Sequence, residues 1–254
     1  MSMRSRVLVP AAFVTFLLVT SGCRLPSSAT PEPVATFSIV GYDPETKEVG
    51  VAVQSRVFSV GGGVIWGEAD VGVVATQAYV DVSYGPKALE LLKEGLEPEE
   101  VLRRVLESDP DPQPRGWPKT GRQFSVMNAE GKVATHTGTR ASAWAGHRIG
   151  EGCSAQGNLL AGEDVVKGTV KAFESTEGHL SLRLLAAIEA GQKAGGDKRG
   201  MQSAAMLIVK KNGGPWLNND RVLRLQVDDH KEPIAELRRL VELSAKWRRF
   251  ARRR

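Results

Sequence analysis

The side chains able to carry chemistry in this 254-residue chain are few. Its four histidines, His136, His147, His179 and His230, share no metal-ligand spacing such as H-x-x-x-H. Each is read as a hydrogen-bonded or surface histidine, and no metal site or cofactor is implied. Ser38 and Ser55 have no G-x-S-x-G setting, so nothing supports the strand-to-helix elbow of a serine hydrolase. Cys153 is read as a buried small hydrophobe rather than a reactive thiol. Asp197 and Arg199, in the run Gly196-Asp197-Lys198-Arg199-Gly200, are charged groups that a glycine-flanked loop can gather at a pocket. The alternative is a pair of solvated loop charges.

The ends of the chain bear a different signal. Arg4 and Arg6 precede the apolar run Val7–Thr20, which is short and interrupted by Pro10. A spanning helix needs about 20 apolar residues, whereas a short apolar run after a basic start is the secretory pattern. Thr20-Ser21-Gly22-Cys23 resembles the bacterial lipobox, where a peptidase cuts before a cysteine that receives lipid. Residues 1–22 are therefore expected to be a signal peptide and Cys23 the lipidation site. Residues 23–34, rich in Pro and Ser, are expected to be a disordered tether. This places the protein in the cell envelope, on the extracytoplasmic side of a bacterial membrane. The formal charge of +5 becomes +3 without Arg4 and Arg6, and −3 once the six cations after Ala245 are also set aside. A mildly acidic body with a basic tail, residues 246–254, is not the profile of a nucleic-acid-binding protein.

Roughly 210 residues remain for the body, residues 35–245, enough for one substantial core. Two apolar segments, Thr36–Val40 and Val49–Val53, flank a turn-rich stretch and predict a hairpin covered on both faces. Another buried strand is expected over Val71–Thr76. Helical spacing follows around Ala88–Leu92, ended by Gly95, and again from Pro98. A second hairpin is read over Phe124–Met127 and Lys132–His136, and a second helix pair over Glu163–Phe173 and Leu180–Ala190. Strands Ser203–Val209 and Val222–Val227 precede a terminal helix. Its stripe comprises Ile234, Leu237, Leu240, Val241, Leu243 and Trp247. Two strand groups and two helix groups fit an α+β fold, a four-layer α-β-β-α sandwich, although periodicity alone does not separate it from other α+β layerings.

Five stretches in order carry a family resemblance: Ala35–Arg56, Val73–Pro86, Trp144–Gly162, Gly195–Val209 and Val227–Leu240. Together they resemble the domain-of-unknown-function 1028 family, regarded as like the N-terminal-nucleophile (Ntn) hydrolases. The resemblance implies an Ntn-type sandwich and makes Thr36 the candidate nucleophile. A chain-terminal Thr serves as both nucleophile and base, because its α-amine titrates near pH 7.7–8.0, close to neutrality. Thr36 also has a plainer reading, as a β-branched residue opening a strand. Thirteen residues, from Cys23 to Ala35, would precede it after lipobox cleavage, so a second cut at Ala35-Thr36 is needed to free that amine. Gln77 and Asn158 are the candidate oxyanion donors, with turn residues satisfying local backbone as the alternative. Arg56, Asp197 and Arg199 are the candidate substrate-binding charges.

The expected activity is hydrolysis of a C–N bond in a small amide or peptide-like substrate, with the membrane reached through the lipid and homo-oligomerisation left open. The rival is a catalytically silent envelope lipoprotein that binds a small ligand or partner.

Overall fold

The computed structural model describes residues 36–251. The expected signal peptide (1–22), the expected lipidation site Cys23, the expected tether (23–34) and Arg252 to Arg254 lie outside the described residues. The chain divides into a short unit, Met1–Pro31, and a second, Glu32–Arg254, which holds every described residue.

Among the described residues the second unit has ten strands and five α-helices. The first hairpin is β1 (Thr36–Asp43) and β2 (Glu48–Ser55), and it is followed by β3 (Ile65–Glu68) and β4 (Gly72–Ala78). Helices α1 (Tyr84–Lys93) and α2 (Pro98–Glu107) precede β5 (Arg122–Asn128), β6 (Val133–Thr137), β7 (Gly146–Gly150) and β8 (Cys153–Asn158). Then come α3 (Glu163–Ser175), α4 (Leu180–Lys193), β9 (Ser203–Val209), β10 (Arg221–Val227) and α5 (Pro233–Ala251). The six-stranded sheet runs β10-β9-β2-β1-β8-β7 and the four-stranded sheet β3-β4-β5-β6. All named pairings are antiparallel.

Local chemistry explains the first hairpin. Asp43 Oδ1 accepts from the backbone N–H groups of Glu45 and Thr46 at 2.9 and 3.3 Å, closing the turn that the Asp-Pro start announces. Side chains then alternate between faces. From β1, Phe37 and Ile39 join the cores of α3, α4 and α5, while Val40 points the other way into the seam between the sheets. On the smaller sheet, Val74, Phe124 and Val126 pack under α1 and α2, while Val73, Ala75 and Met127 face the seam. Three apolar layers separate four structural ones, so the α+β four-layer α-β-β-α sandwich is the observed architecture.

Strands β7 and β8 have no counterpart in the periodicity of the sequence. β8 reads Cys-Ser-Ala-Gln-Gly-Asn, with no β-branched residue, and it is held as a strand by pairing with β1 on one side and β7 on the other. The terminal helix also differs from its expected stripe. Ile234, Leu237 and Val241 are buried and Leu240 packs partly, but Leu243 is 54 % and Trp247 39 % exposed. At about 28 Å, α5 is longer than the edge strand β10, at about 23 Å, so its last turns overhang the sheet.

Candidate functional site

The pleat sets out the site. Thr36 is directly opposite Ser55 of β2 and Asn158 of β8, and Ser55 is opposite Ser203 of β9. Directly opposed residues share a face. One end of the six-stranded sheet therefore presents a row of three hydroxyls and an amide into the seam: Ser203, Ser55, Thr36, Asn158. All four are fully buried. Thr36 donates its Oγ1 hydrogen to Ser55 Oγ at 3.0 Å. Ser55 Oγ also accepts from the Val57 N–H at 3.1 Å, and Ser203 Oγ from the Val60 N–H at 3.1 Å, so the row holds the start of the loop after β2.

The next row inward is polar as well. Ser38 opposes Gln156, and the Gln156 Nε2 donates to Ser38 Oγ at 2.7 Å. Two glutamines of the smaller sheet reach across the seam to these rows. Gln77, on β4, accepts from Ser38 Oγ at 2.6 Å through Oε1. Its Nε2 donates to the Thr36 carbonyl at 3.1 Å and to Gln123 Oε1 at 2.9 Å. Gln123, on β5, donates to the Gly157 carbonyl at 2.9 Å and accepts from Asn158 Nδ2 at 3.3 Å. It also reaches Thr137 Oγ1, which is bonded to His147 Nδ1 near the surface.

Gln77 and Asn158 thus belong to strands, not turns, and both converge on Thr36. Their roles separate. The two hydrogens of Gln77 Nε2 are shared among Thr36 O, Gln123 Oε1 and, at 3.4 Å, Gln156 O, so Gln77 positions the Thr36 backbone. Asn158 keeps one uncommitted Nδ2 hydrogen, and its buried Oδ1 has no hydrogen-bond partner. Gln54 Oε1 and Gln156 Oε1 of the same sheet are buried without a partner as well; the one on Asn158 stands beside Thr36 and is placed to accept from an N–H donor there.

Asp197 is the organiser of the charged cluster. Its side chain is buried, its Oδ1 accepts from Arg199 N at 2.8 Å, and its Oδ2 lies 3.1 Å from Arg199 Nη2. The Arg56 backbone N–H reaches Asp197 Oδ2 at 3.4 Å, while the exposed Arg56 guanidinium turns to Gln202 Oε1 at 3.0 Å. The Asp197 carboxylate therefore ties the end of β2 to the loop before β9. Arg199 is partly exposed beside it, and Arg56 contributes through its main chain.

A depression of about 190 Å³ adjoins the row, lined by Val57, Phe58, Ser59, Val60, Gly63, Val64 and Val80. Larger hollows, of about 660 and 480 Å³, open around Pro44 and Arg183 at the far end of the hairpin. The smaller one is singled out by its place, because it touches the loop hydrogen-bonded to Ser55 and Ser203. Cys153 packs in the helix-covered core, where burial and the nearby Glu174 push its thiol up to about 12; it is no nucleophile. Among the described residues no group of three His, Cys, Asp or Glu could hold a metal ion.

Gln123, Gln156 and Ser203 join the site without any local motif in the sequence, and Ser38 and Ser55 join it without a serine-hydrolase setting. The available signal was a polar residue at every second position of a buried strand: Thr36 and Ser38, Gln156 and Asn158, Gln123 and Ser125. Gln123→Leu should show how tightly the network is held. It strands the donors of Gln77 and Asn158 and the Gly157 carbonyl at once. A loss of about 3 kcal/mol or more is expected in urea unfolding, with wild-type-like stability counting against a structural role for the seam.

The family model described as "Family of unknown function (DUF1028)" matches residues 36–237, beginning at Thr36. No curated protein matches the chain. The crystal structure of protein SPO2555 from Silicibacter pomeroyi, described as a DUF1028 protein, is similar at 29% identity. The match covers 83% of this chain and 86% of that one, with a TM-score of 0.73. The six-stranded and four-stranded sheets, the polar seam they enclose and the match over residues 36–237 lead to one assignment: the chain belongs to DUF1028, a family of unknown function.

Proposed function

We propose that the protein is an exported amidohydrolase of the N-terminal-nucleophile type, with Thr36 as nucleophile, made as an envelope lipoprotein anchored through Cys23 and released from that lipid when Ala35-Thr36 is cut. The observation that supports this reading best is the buried row Ser55–Thr36–Asn158, with its unpartnered Asn158 Oδ1. Cleavage of Ala35-Thr36 would turn the Thr36 amide nitrogen into an α-amine. Asn158 Oδ1 is then an acceptor for that amine on the neighbouring strand.

The chemistry balances with these groups. The amine takes the proton of Thr36 Oγ1 as the oxygen attacks the substrate carbonyl carbon. The free Nδ2 hydrogen of Asn158 is a donor for the oxyanion that develops. Collapse breaks the C–N bond, the ammonium returns its proton to the leaving nitrogen, and an ester on Thr36 remains. Water, activated by the same amine, hydrolyses the ester and restores the hydroxyl. Gln77 positions Thr36 throughout by holding its carbonyl, and Arg199 beside Asp197 is suited to a substrate carboxylate. No cofactor enters these steps.

One observation favours the silent lipoprotein instead. In the intact chain Thr36 is fully buried and its Oγ1 is spent on Ser55. Intact mass and N-terminal sequence of protein purified from the envelope decide between them. The hydrolase reading expects a lipidated chain starting at Cys23 and a shorter one starting at Thr36, with turnover confined to the shorter. A single uncut species that turns over no amide leaves the binding role. Cys23→Ser should move the protein from the detergent phase to the aqueous phase, and unchanged partitioning would remove the anchor.

A further inference from the structure

The hairpin loop between β9 and β10 carries the two most exposed large apolar side chains of the described residues, Trp216 at 80 % and Leu217 at 92 %. They are displayed, not loose. The loop is braced by Lys210 N–H to Asp220 O at 3.0 Å, Gly214 N–H to Asn219 O at 2.8 Å and Asn219 Nδ2 to Pro215 O at 2.8 Å. The Trp216 ring packs edge-on against Trp247 of α5, with centroids 5.3 Å apart. Leu243, 54 % exposed, lies one helical turn before Trp247. Loop tip and helix overhang thus form one apolar patch with two indole rings at its centre, and exposed patches of this kind mark interaction surfaces.

The charge around the patch is mainly positive, with Lys211 paired to Asp220 at 3.0 Å and the exposed Glu242 beside Leu243. From Lys210 to Arg224 the hairpin has Lys210, Lys211, Arg221 and Arg224 against a single acid, Asp220. Lys246 is exposed on α5, and the sequence continues past Trp247 with five arginines and no acid. Tryptophan beside leucine, rimmed by Lys and Arg, is the composition of a surface seated at the headgroup level of a bilayer. None of the described helices is long and apolar enough to cross a membrane.

We infer that the Trp216–Leu217 loop, together with Trp247 and the basic end of α5, docks the protein on an anionic phospholipid bilayer. Trp216, Leu217 and Trp247 enter the interfacial zone, and the surrounding cations face lipid phosphates. The orientation this imposes is specific. Val49 pairs with Val209 at the loop end of the six-stranded sheet, and Ser55 with Ser203 at the Thr36 end. The docked face is therefore about 20 Å along the strands from the hydroxyl row, which is turned away from the lipid. The inference does not depend on Thr36 being a nucleophile or on lipid at Cys23.

The test uses the full chain with Cys23→Ser, so that no lipid is attached, and Leu217→Cys labelled with an environment-sensitive bimane. The buried Cys153 does not compete for the label. Vesicles of phosphatidylcholine with about one-third phosphatidylglycerol should shift the probe emission to the blue. The same label on Lys198→Cys, at the Thr36 end, should not respond. Pure phosphatidylcholine, or high salt, should weaken the response by about tenfold. Trp216→Ser with Trp247→Ser should weaken it similarly while leaving circular dichroism unchanged, and Trp216→Ser alone serves if the pair unfolds. A silent probe at position 217, equal response to neutral vesicles, or an unaffected folded Trp variant would overturn the docking. So would a blue shift without vesicles that grows with protein concentration, which would make the patch a contact between two copies of this chain.

Discussion

Thr36→Ala is expected to abolish turnover, by about 10⁴- to 10⁶-fold, the scale seen when a covalent nucleophile is removed. The variant should still fold. It loses the 3.0 Å hydrogen bond from Thr36 Oγ1 to Ser55 Oγ, worth about 1 kcal/mol. The Thr36 carbonyl keeps its bond from Gln77, and Ser55 keeps the Val57 N–H. Thr36→Ser retains a hydroxyl at the same place and should keep measurable activity. A β-lactone electrophile gives a readout that needs no known substrate: an adduct on Thr36 by intact mass in the chain that begins there, and none in Thr36→Ala. Labelling of the Ala variant at wild-type level would end the nucleophile assignment. Asn158→Ala tests the neighbouring amide. It should slow labelling while sparing the fold more than Gln123→Leu does, because Gln123 bridges the sheets and Asn158 has an atom to spare.

The largest stability effect is expected far from the hydroxyl row, at Arg122 and Asp109. Arg122 is 2 % exposed, and its Nε lies 3.0 Å from Asp109 Oδ2. Its Nη1 donates to the carbonyls of Tyr79 and Trp117, while Asp109 also accepts from the Tyr84 hydroxyl at 2.6 Å and the Asp111 N–H at 2.7 Å. The pair thus ties the end of α2, the Pro-rich loop behind it and the end of β4 to β5. Arg122→Met leaves a buried carboxylate, and Asp109→Asn a buried guanidinium. Each should cost about 3–5 kcal/mol, and the double variant less than their sum. Chemical denaturation with both singles and the double measures this; additive losses would mean the two side chains do not act as a unit.

The same pair predicts acid sensitivity. Burial pushes Asp109 upward, but the Tyr84 hydroxyl, the Asp111 N–H and Arg122 together hold its carboxyl below the usual range. A folded-state pKa below the unfolded one, about 3.9, means stability that is complete above that value. It is lost as pH falls through the folded pKa. Wild-type stability should therefore decline below about pH 4. Arg122→Met should lose less over the same interval, since part of what holds the proton off is already gone; an identical acid limb in both would argue against the assignment. The Tyr84 hydroxyl is shifted the other way, first by burial and then by Asp109, and stays protonated throughout.

The hairpin β1–β2, both helix pairs and the strand Ser203–Val209 are legible in the sequence because each carries a pattern of its own. Apolar runs end at Asp-Pro or Gly, or apolar residues recur every three or four positions. The polar seam has no such local mark. Gln77, Gln123 and Asn158 lie at separate points of the chain, and each alone looks like a turn or a solvated amide. Alternation places Thr36 and Ser38 on one face of β1, but which face, and what stands opposite, depends on the register with β8 and on the packing of one sheet over the other. β8 itself has too little β-propensity to be read as a strand and exists through its two neighbours. The sequence by itself established two groups of strands alternating with two groups of helices, because burying apolar area is a statement about composition and period; how those groups stack into four layers was decided by the tertiary structure. The convergence of Thr36, Ser55, Gln77, Gln123 and Asn158 arises only in the assembled sandwich. A buried amide must find partners wherever the fold supplies them, and here they come from β-strands up to 122 positions apart in the sequence.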